Sequence, residues 1–211
     1  MIFTFIFIAI LSAVTVVNLI GNAKKDKKLI YISKPFLMPL VVLIYTIGNP
    51  SINWLVVIGL FCGLAGDILL LDKNNEKAFM LGLVAFLVGH ILYVITFWSL
   101  NAAPWIYILL FPYAVIGIFI FKFLKPDLGY KKIPVIVYTA VILLMSFATI
   151  TRFYSSSPTS ASLVFIGGVS FIISDVILAI NKFKGEIKYG TVYNMLTYIL
   201  GQFLIGFGLL F

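Results

Sequence analysis

The chain has 211 residues, 63% of them hydrophobic and only 10% charged, with a formal net charge of +8. That balance excludes a soluble globular domain, whose surface needs far more charge. It also excludes nucleic acid as the reason for the positive charge, because the lysines fall in short loops between apolar runs, where membrane topology puts them. The runs approach the roughly 20 residues that cross a bilayer as a helix. They are too long and too uniformly apolar for the alternating strands of a membrane barrel.

In chain order, the first run covers 2–20. No positive charge precedes it, the cluster Lys24, Lys25, Lys27 and Lys28 follows it, and no small-residue cleavage site ends it. It reads as a retained first transmembrane helix, not a signal peptide. Further spans are expected at 33–48, opened by Lys34 and Pro35, and at 52–71, which carries Asp67. The next are 77–98 with His90, then 104–124 and 132–151. Span 160–180 contains Asp175, and 189–210 contains Asn194, Tyr198 and Gln202. Turns are marked by Gly48-Asn49-Pro50, Asn101 to Pro104, Pro126-Asp127 and Ser155 to Pro158. The lone Cys62 allows no intramolecular disulfide. The expected fold is an all-α polytopic bundle of eight transmembrane helices, a single domain over 1–211.

Loop charge orients the bundle. The loops after spans 1, 3, 5 and 7, with their flanking helix ends, hold all fourteen lysines; the loops after spans 2, 4 and 6 hold only Arg152. The positive-inside rule then puts both termini outside and the lysine-rich loops in the cytoplasm, as for a multi-pass protein of the cytoplasmic membrane. An internal repeat is suggested by GDILLLDKNNEKAF after span 3 and SDVILAINKFKGEI after span 7. His90 follows Asp67 by 23 residues, and Tyr198 follows Asp175 by the same 23. Lys34-Pro35 loosely matches Lys132-Ile133-Pro134. The pattern suggests two parallel four-helix halves, 1–100 and 101–211.

The strongly polar residues inside the spans carry the functional argument. Asp67 and Asp175 each lie roughly 7–10 Å in from the lysine-rich side at 1.5 Å per residue. Carboxylates at that depth are costly, face the bundle interior, and lean towards function. Gly59, Gly63 and Gly66 share a side with Asp67; Gly167, Ser170 and Ser174 accompany Asp175. Small residues of this kind let helices approach. Asn194 is expected level with the aspartates, with His90, Tyr198 and Gln202 nearer the middle, and Lys34 within reach of an aspartate or a lipid phosphate. Each has a structural alternative: an ion pair for the aspartates, packing for His90, interhelical hydrogen bonds for Asn194, Tyr198 and Gln202, and snorkelling for Lys34. One histidine rules out a three-histidine zinc site, and GxSxG and HExxH are absent. Nothing in the pattern supports a metal or another cofactor.

These segments resemble a known family. SKPFLMPL at 33–40, GLAGDILLL at 63–71, FMLGLVAFLVGHILY at 79–93, ISDVILA at 173–179 and YILGQFLI at 198–205 are similar, in order and spacing, to the YhhN family of multispan membrane proteins. The characterised members are lysoplasmalogenases. The resemblance implies a hydrolase that cleaves the vinyl-ether bond of a lysophospholipid within the bilayer. The products are a fatty aldehyde and glycerophosphoethanolamine or glycerophosphocholine. By motif it carries over Lys34, Asp67, His90, Asp175, Tyr198 and Gln202. Vinyl-ether hydrolysis needs a proton donor to the β-carbon, a negative group beside the oxocarbenium ion, and a positioned water. Asp67 and Asp175 are therefore expected as an acid/base pair, with His90 and Tyr198 orienting water and Lys34 holding the headgroup phosphate. A proton-coupled transporter, or a lysolipid-binding protein without activity, accounts for the same polar residues.

Overall fold

The structure is a computed structural model that describes residues 2–72 and 75–211. Lys73 and Asn74, part of the first copy of the repeat motif, lie outside the described residues. Every regular element among the described residues is helical, and eight are α-helices: α1 (Ile2–Lys24), α2 (Lys27–Gly48), α3 (Trp54–Leu69), α4 (Glu76–Phe97), α5 (Leu110–Leu124), α6 (Lys132–Thr151), α7 (Pro158–Phe183) and α8 (Gly190–Gly208). A 3₁₀ segment over Pro104–Leu109 leads into α5 and takes up the start of the expected fifth span.

Six helical stretches are long and apolar enough to cross a membrane, and α3 is a shorter apolar helix. Large apolar side chains such as Phe3, Leu100, Phe111 and Phe119 point outward, as they do where lipid replaces water as solvent. The surface is that of a helical membrane bundle.

One boundary differs in a way that matters. The sequence places Lys34 at the start of its helix, but α2 begins at Lys27. Asp26 is the reason: its carboxylate accepts hydrogen bonds from the Lys28 and Leu29 amides and caps the helix. Lys34 therefore sits two turns in and is buried, and Pro35 and Pro39 fall inside the helix.

The helices α2, α3, α4, α6, α7 and α8 pack each on the next, and α8 packs back on α2 to close a ring. Outside it, α1 lies against α2 and α8, and α5 against α6 and α7. Within the ring this neighbour pattern maps onto itself when the helices of one half are exchanged for those of the other. The tightest seams are α3–α4 and α7–α8. A Cβ on Gly89 would come within 3.1 Å of the Gly59 carbonyl, and one on Gly167 within 2.9 Å of the Gly201 carbonyl. Only glycine permits that approach of two backbones.

Ion pairs join the lysine-rich loops to one another at one end of the bundle. Lys25 meets Glu186 at 3.0 Å, Lys131 meets Glu76 at 2.7 Å, and Lys184 meets Asp127 at 2.8 Å. At the other end Asn49 donates to the Leu209 carbonyl, and the Thr151 hydroxyl accepts from the Ser99 amide.

Candidate functional site

The ring encloses the polar residues singled out above, but in two corners rather than one. In the first corner, α2 presents Lys34 to Asp67 on α3, Nζ to Oδ1 at 3.3 Å. Asp67 is 2% exposed and Lys34 8%, so this ion pair is closed off from solvent. The hydroxyl of Tyr198, on α8, stands beside the same carboxylate. Lys34 and the Tyr198 hydroxyl are thus the polar groups that face the Asp67 carboxylate.

Further along α8, Gln202 accepts a hydrogen bond from the Tyr93 hydroxyl at 2.9 Å. All four side chains, Asp67, Tyr198, Gln202 and Tyr93, are buried. They form a polar column between α3, α4 and α8.

In the second corner, the Tyr138 hydroxyl on α6 donates a short hydrogen bond to Oδ2 of Asp175 on α7. Asp175 makes no ion pair among the described residues. Its carboxyl is only partly buried, because it opens into a narrow slot between α4, α5, α6 and α7. Its cavity volume is about 40 Å³. Asp175, Tyr138 and Thr139 are the polar residues of an otherwise apolar lining, and Asp67 does not reach it.

His90 stands between the corners. Its ring lies edge-on to Tyr138, centroids 5.6 Å apart, and to Phe171 at 5.1 Å. Phe171 in turn packs edge-on against Tyr198 at 5.7 Å. His90 is 2% exposed, and its Nδ1 has no hydrogen-bond partner. The residues expected from sequence thus reach the ring interior with one exception. Asn194 is spent on a clasp between α7 and α8: its amide donates to the Ser174 carbonyl at 2.8 Å, and the Ser174 hydroxyl donates to the Asn194 carbonyl at 3.2 Å. The aspartates keep separate partners, Lys34 and Tyr138.

Tyr138 was not singled out by sequence. It is one of eleven tyrosines and lies in an apolar run. The signal that would have found it is the repeat: Asp67 takes its partner from the preceding helix, so Asp175 calls for one on span 6. Among the described residues no group of three or more His, Cys, Asp or Glu side chains stands together for a metal ion.

No curated protein and no solved structure matches the chain. The model of the YhhN family matches residues 29–209, from the first turn of α2 to the end of α8. All six ring helices and both aspartate corners fall inside that match, and on its extent the chain belongs to the YhhN family.

Proposed function

We propose that the protein is a membrane-embedded hydrolase of the vinyl-ether bond of lysoplasmalogens, releasing a fatty aldehyde and a glycerophosphodiester. The observation that carries this reading is the Asp175 carboxyl: a single acidic group, held by Tyr138, in an apolar slot open to the outside of the ring. With no cation beside it, the neutral acid is the form that leaves no unpaired charge in the slot.

The chemistry balances on that one carboxyl. Asp175 delivers its proton to the β-carbon of the vinyl ether, and the π electrons form the new C–H bond. The resulting carboxylate faces the oxocarbenium ion and stabilises it. Water adds to the cationic carbon, and its proton returns to Asp175. The hemiacetal then separates into aldehyde and alcohol. Tyr138 holds Asp175 in place. Asp67, the Tyr198 hydroxyl and His90, all buried in the ring interior, supply and orient water. The expected acid/base pair becomes a division of labour, with proton transfer at Asp175 and water handling at Asp67.

The test is purified protein in detergent with lysoplasmenylethanolamine and a coupled aldehyde assay. Aldehyde is expected from the alkenyl lipid and not from its alkyl or acyl analogues. No aldehyde from any alkenyl lysolipid overturns the reading. The separation of the two aspartates also suits a proton-coupled carrier. Proteoliposomes of the same preparation separate the two, because a carrier moves protons with a lysolipid or another solute and releases no aldehyde.

A further inference from the structure

The cavity beside Asp175, about 40 Å³, has room for about three waters at roughly 10–15 Å³ each. Ligand pockets run to about 300–1,000 Å³. A larger molecule therefore reaches Asp175 only when a wall of the slot moves. Three walls, α4, α6 and α7, belong to the ring and bury eight, ten and eight residues. The fourth is α5, which lies across the outside, buries Leu124 alone, and adds Ile120 and Leu124 to the lining. It runs into 3₁₀ turns at both ends, Pro104–Leu109 before it and Lys125–Asp127 after it. Such turns serve as short connectors, with poorer hydrogen bonds than an α-helix. The wall free to move is α5.

The two sides of α5 are fastened differently. Along α6 the contacts follow one another up the seam. The Tyr107 ring, just before α5, lies 6.1 Å from that of Phe147. The Tyr113 and Ser146 hydroxyls share a hydrogen bond at 3.1 Å. A Cβ on Gly117 would come within 2.9 Å of Leu143 Cδ1. Towards α7 the polar fastening is at the foot. Lys184 Nζ meets Asp127 Oδ2 at 2.8 Å and stands 4.7 Å from the Phe123 ring centroid. Below it Ile120, Phe121 and Leu124 share a small apolar cluster with Ala179 and Phe183. The Lys184 and Asp127 side chains are 28% and 39% exposed, so their ion pair holds weakly and is screened by salt.

We propose that α5 is a hinged gate: it turns about its seam with α6, parts from α7 when the Lys184–Asp127 pair opens, and exposes Asp175 to the bilayer. The seam is long and close-packed, so it serves as the hinge. The latch is one partly exposed pair, so it yields first. Hinge motions of this kind need only a few residues at the ends of an element to change conformation, and the 3₁₀ turns supply them. The opening lies on the lipid side of the bundle, where Phe111, Ile118 and Phe119 already point outward. The gate goes beyond the activity proposed above, because a hydrolase and a carrier both require access to Asp175.

The experiment measures access to residue 179, an alanine in the slot lining. The purified full chain carries Cys62→Ala and Ala179→Cys, and its rate of reaction with N-ethylmaleimide is read by mass spectrometry. Asp127→Asn or Lys184→Gln should raise that rate about fivefold, the upper end of what a partly exposed ion pair is worth. The exchanged pair, Asp127→Lys with Lys184→Asp, should return it to the slow value. Val115→Cys in place of Ala179→Cys, on an exposed face of α5, should react at one rate throughout. Spin labels on Phe119→Cys and Ile173→Cys, on α5 and α7, should move apart when the latch is broken. Labels on Phe119→Cys and Val137→Cys, on α5 and α6, should keep their distance. The thermal midpoint shows whether each variant is folded. If a latch variant is misfolded, high salt on the intact pair takes its place and should speed labelling in the same way. An unchanged labelling rate with the latch broken overturns the gate, as does equal separation of the two spin-labelled pairs. Neither readout uses turnover. Aldehyde release without the motion removes the gate and leaves the hydrolase, and the motion without aldehyde from any alkenyl lipid does the reverse.

Discussion

The two aspartate corners lie at matching places in the ring, on α3 and α7, and differ in one partner. Each takes its hydrogen-bonding group from the helix before it: Lys34 on α2 for Asp67, Tyr138 on α6 for Asp175. With a lysine the corner is an ion pair, 2% exposed at the aspartate. With a tyrosine it is a hydrogen-bonded carboxyl without a counter-charge, open to an apolar slot. Exchange of a cation for a phenol changes a site that holds charge into one able to exchange a proton. The first corner should therefore matter most to stability and the second to chemistry.

The largest expected effect is on rate. Asp175→Asn removes the proton donor while keeping the shape, and aldehyde release should fall by about 10²–10⁴-fold, the usual contribution of a general acid. The unfolding midpoint should hardly move. Comparable losses of activity and stability would erase the distinction between the corners. Next is Lys34→Met, which leaves Asp67 buried without its cation and should cost about 3 kcal/mol, read by denaturant unfolding in micelles. Adding Asp67→Leu to it should restore much of that loss, since removal of both charges leaves neither unpaired. Tyr138→Phe comes third. It should lower the rate some tenfold and stability by about 1 kcal/mol, the net worth of one hydrogen bond. Tyr138→Lys sharpens the comparison by making the second corner resemble the first: stability should hold and aldehyde release should stop. The smallest contrast lies in the helix seams. A Cβ on Gly167 meets the Gly201 carbonyl at 2.9 Å, and one on Gly59 meets the Tyr93 ring at 2.8 Å. Backbone yields less readily than a ring, so Gly167→Ala should destabilise more than Gly59→Ala, both within about 1–3 kcal/mol.

Much of this was legible beforehand, for identifiable reasons. Apolar runs of spanning length have few alternatives to helices in lipid, so the helices fell close to the expected ranges. Lys34 near Asp67 could be read as an ion pair because few cations lie within the spans. Its depth could not, because the start of α2 depends on the Asp26 cap, seven residues before the run expected from hydropathy. Tyr138 was hidden because a tyrosine in an apolar segment looks like packing until its neighbour is known. The expected meeting of Asp67 with Asp175 rested on their equal depth, and depth does not specify position around a ring of six helices.

The pairing of each aspartate with the preceding helix has a consequence for biogenesis. An aspartate within a spanning helix raises the free energy of membrane insertion, by about 2.5–3.5 kcal/mol at the helix centre and by less towards its ends. Here Asp67 and its lysine leave the ribosome on one helical hairpin, α2–α3, and Asp175 and its tyrosine on another, α6–α7. Each hairpin carries its own polar solution into the bilayer before the ring exists. Closure of the ring waits for α8, the last of the six ring helices in chain order, which joins α2 and brings Tyr198 and Gln202 into the interior. The Tyr198 hydroxyl therefore reaches Asp67 only when all six ring helices have been made.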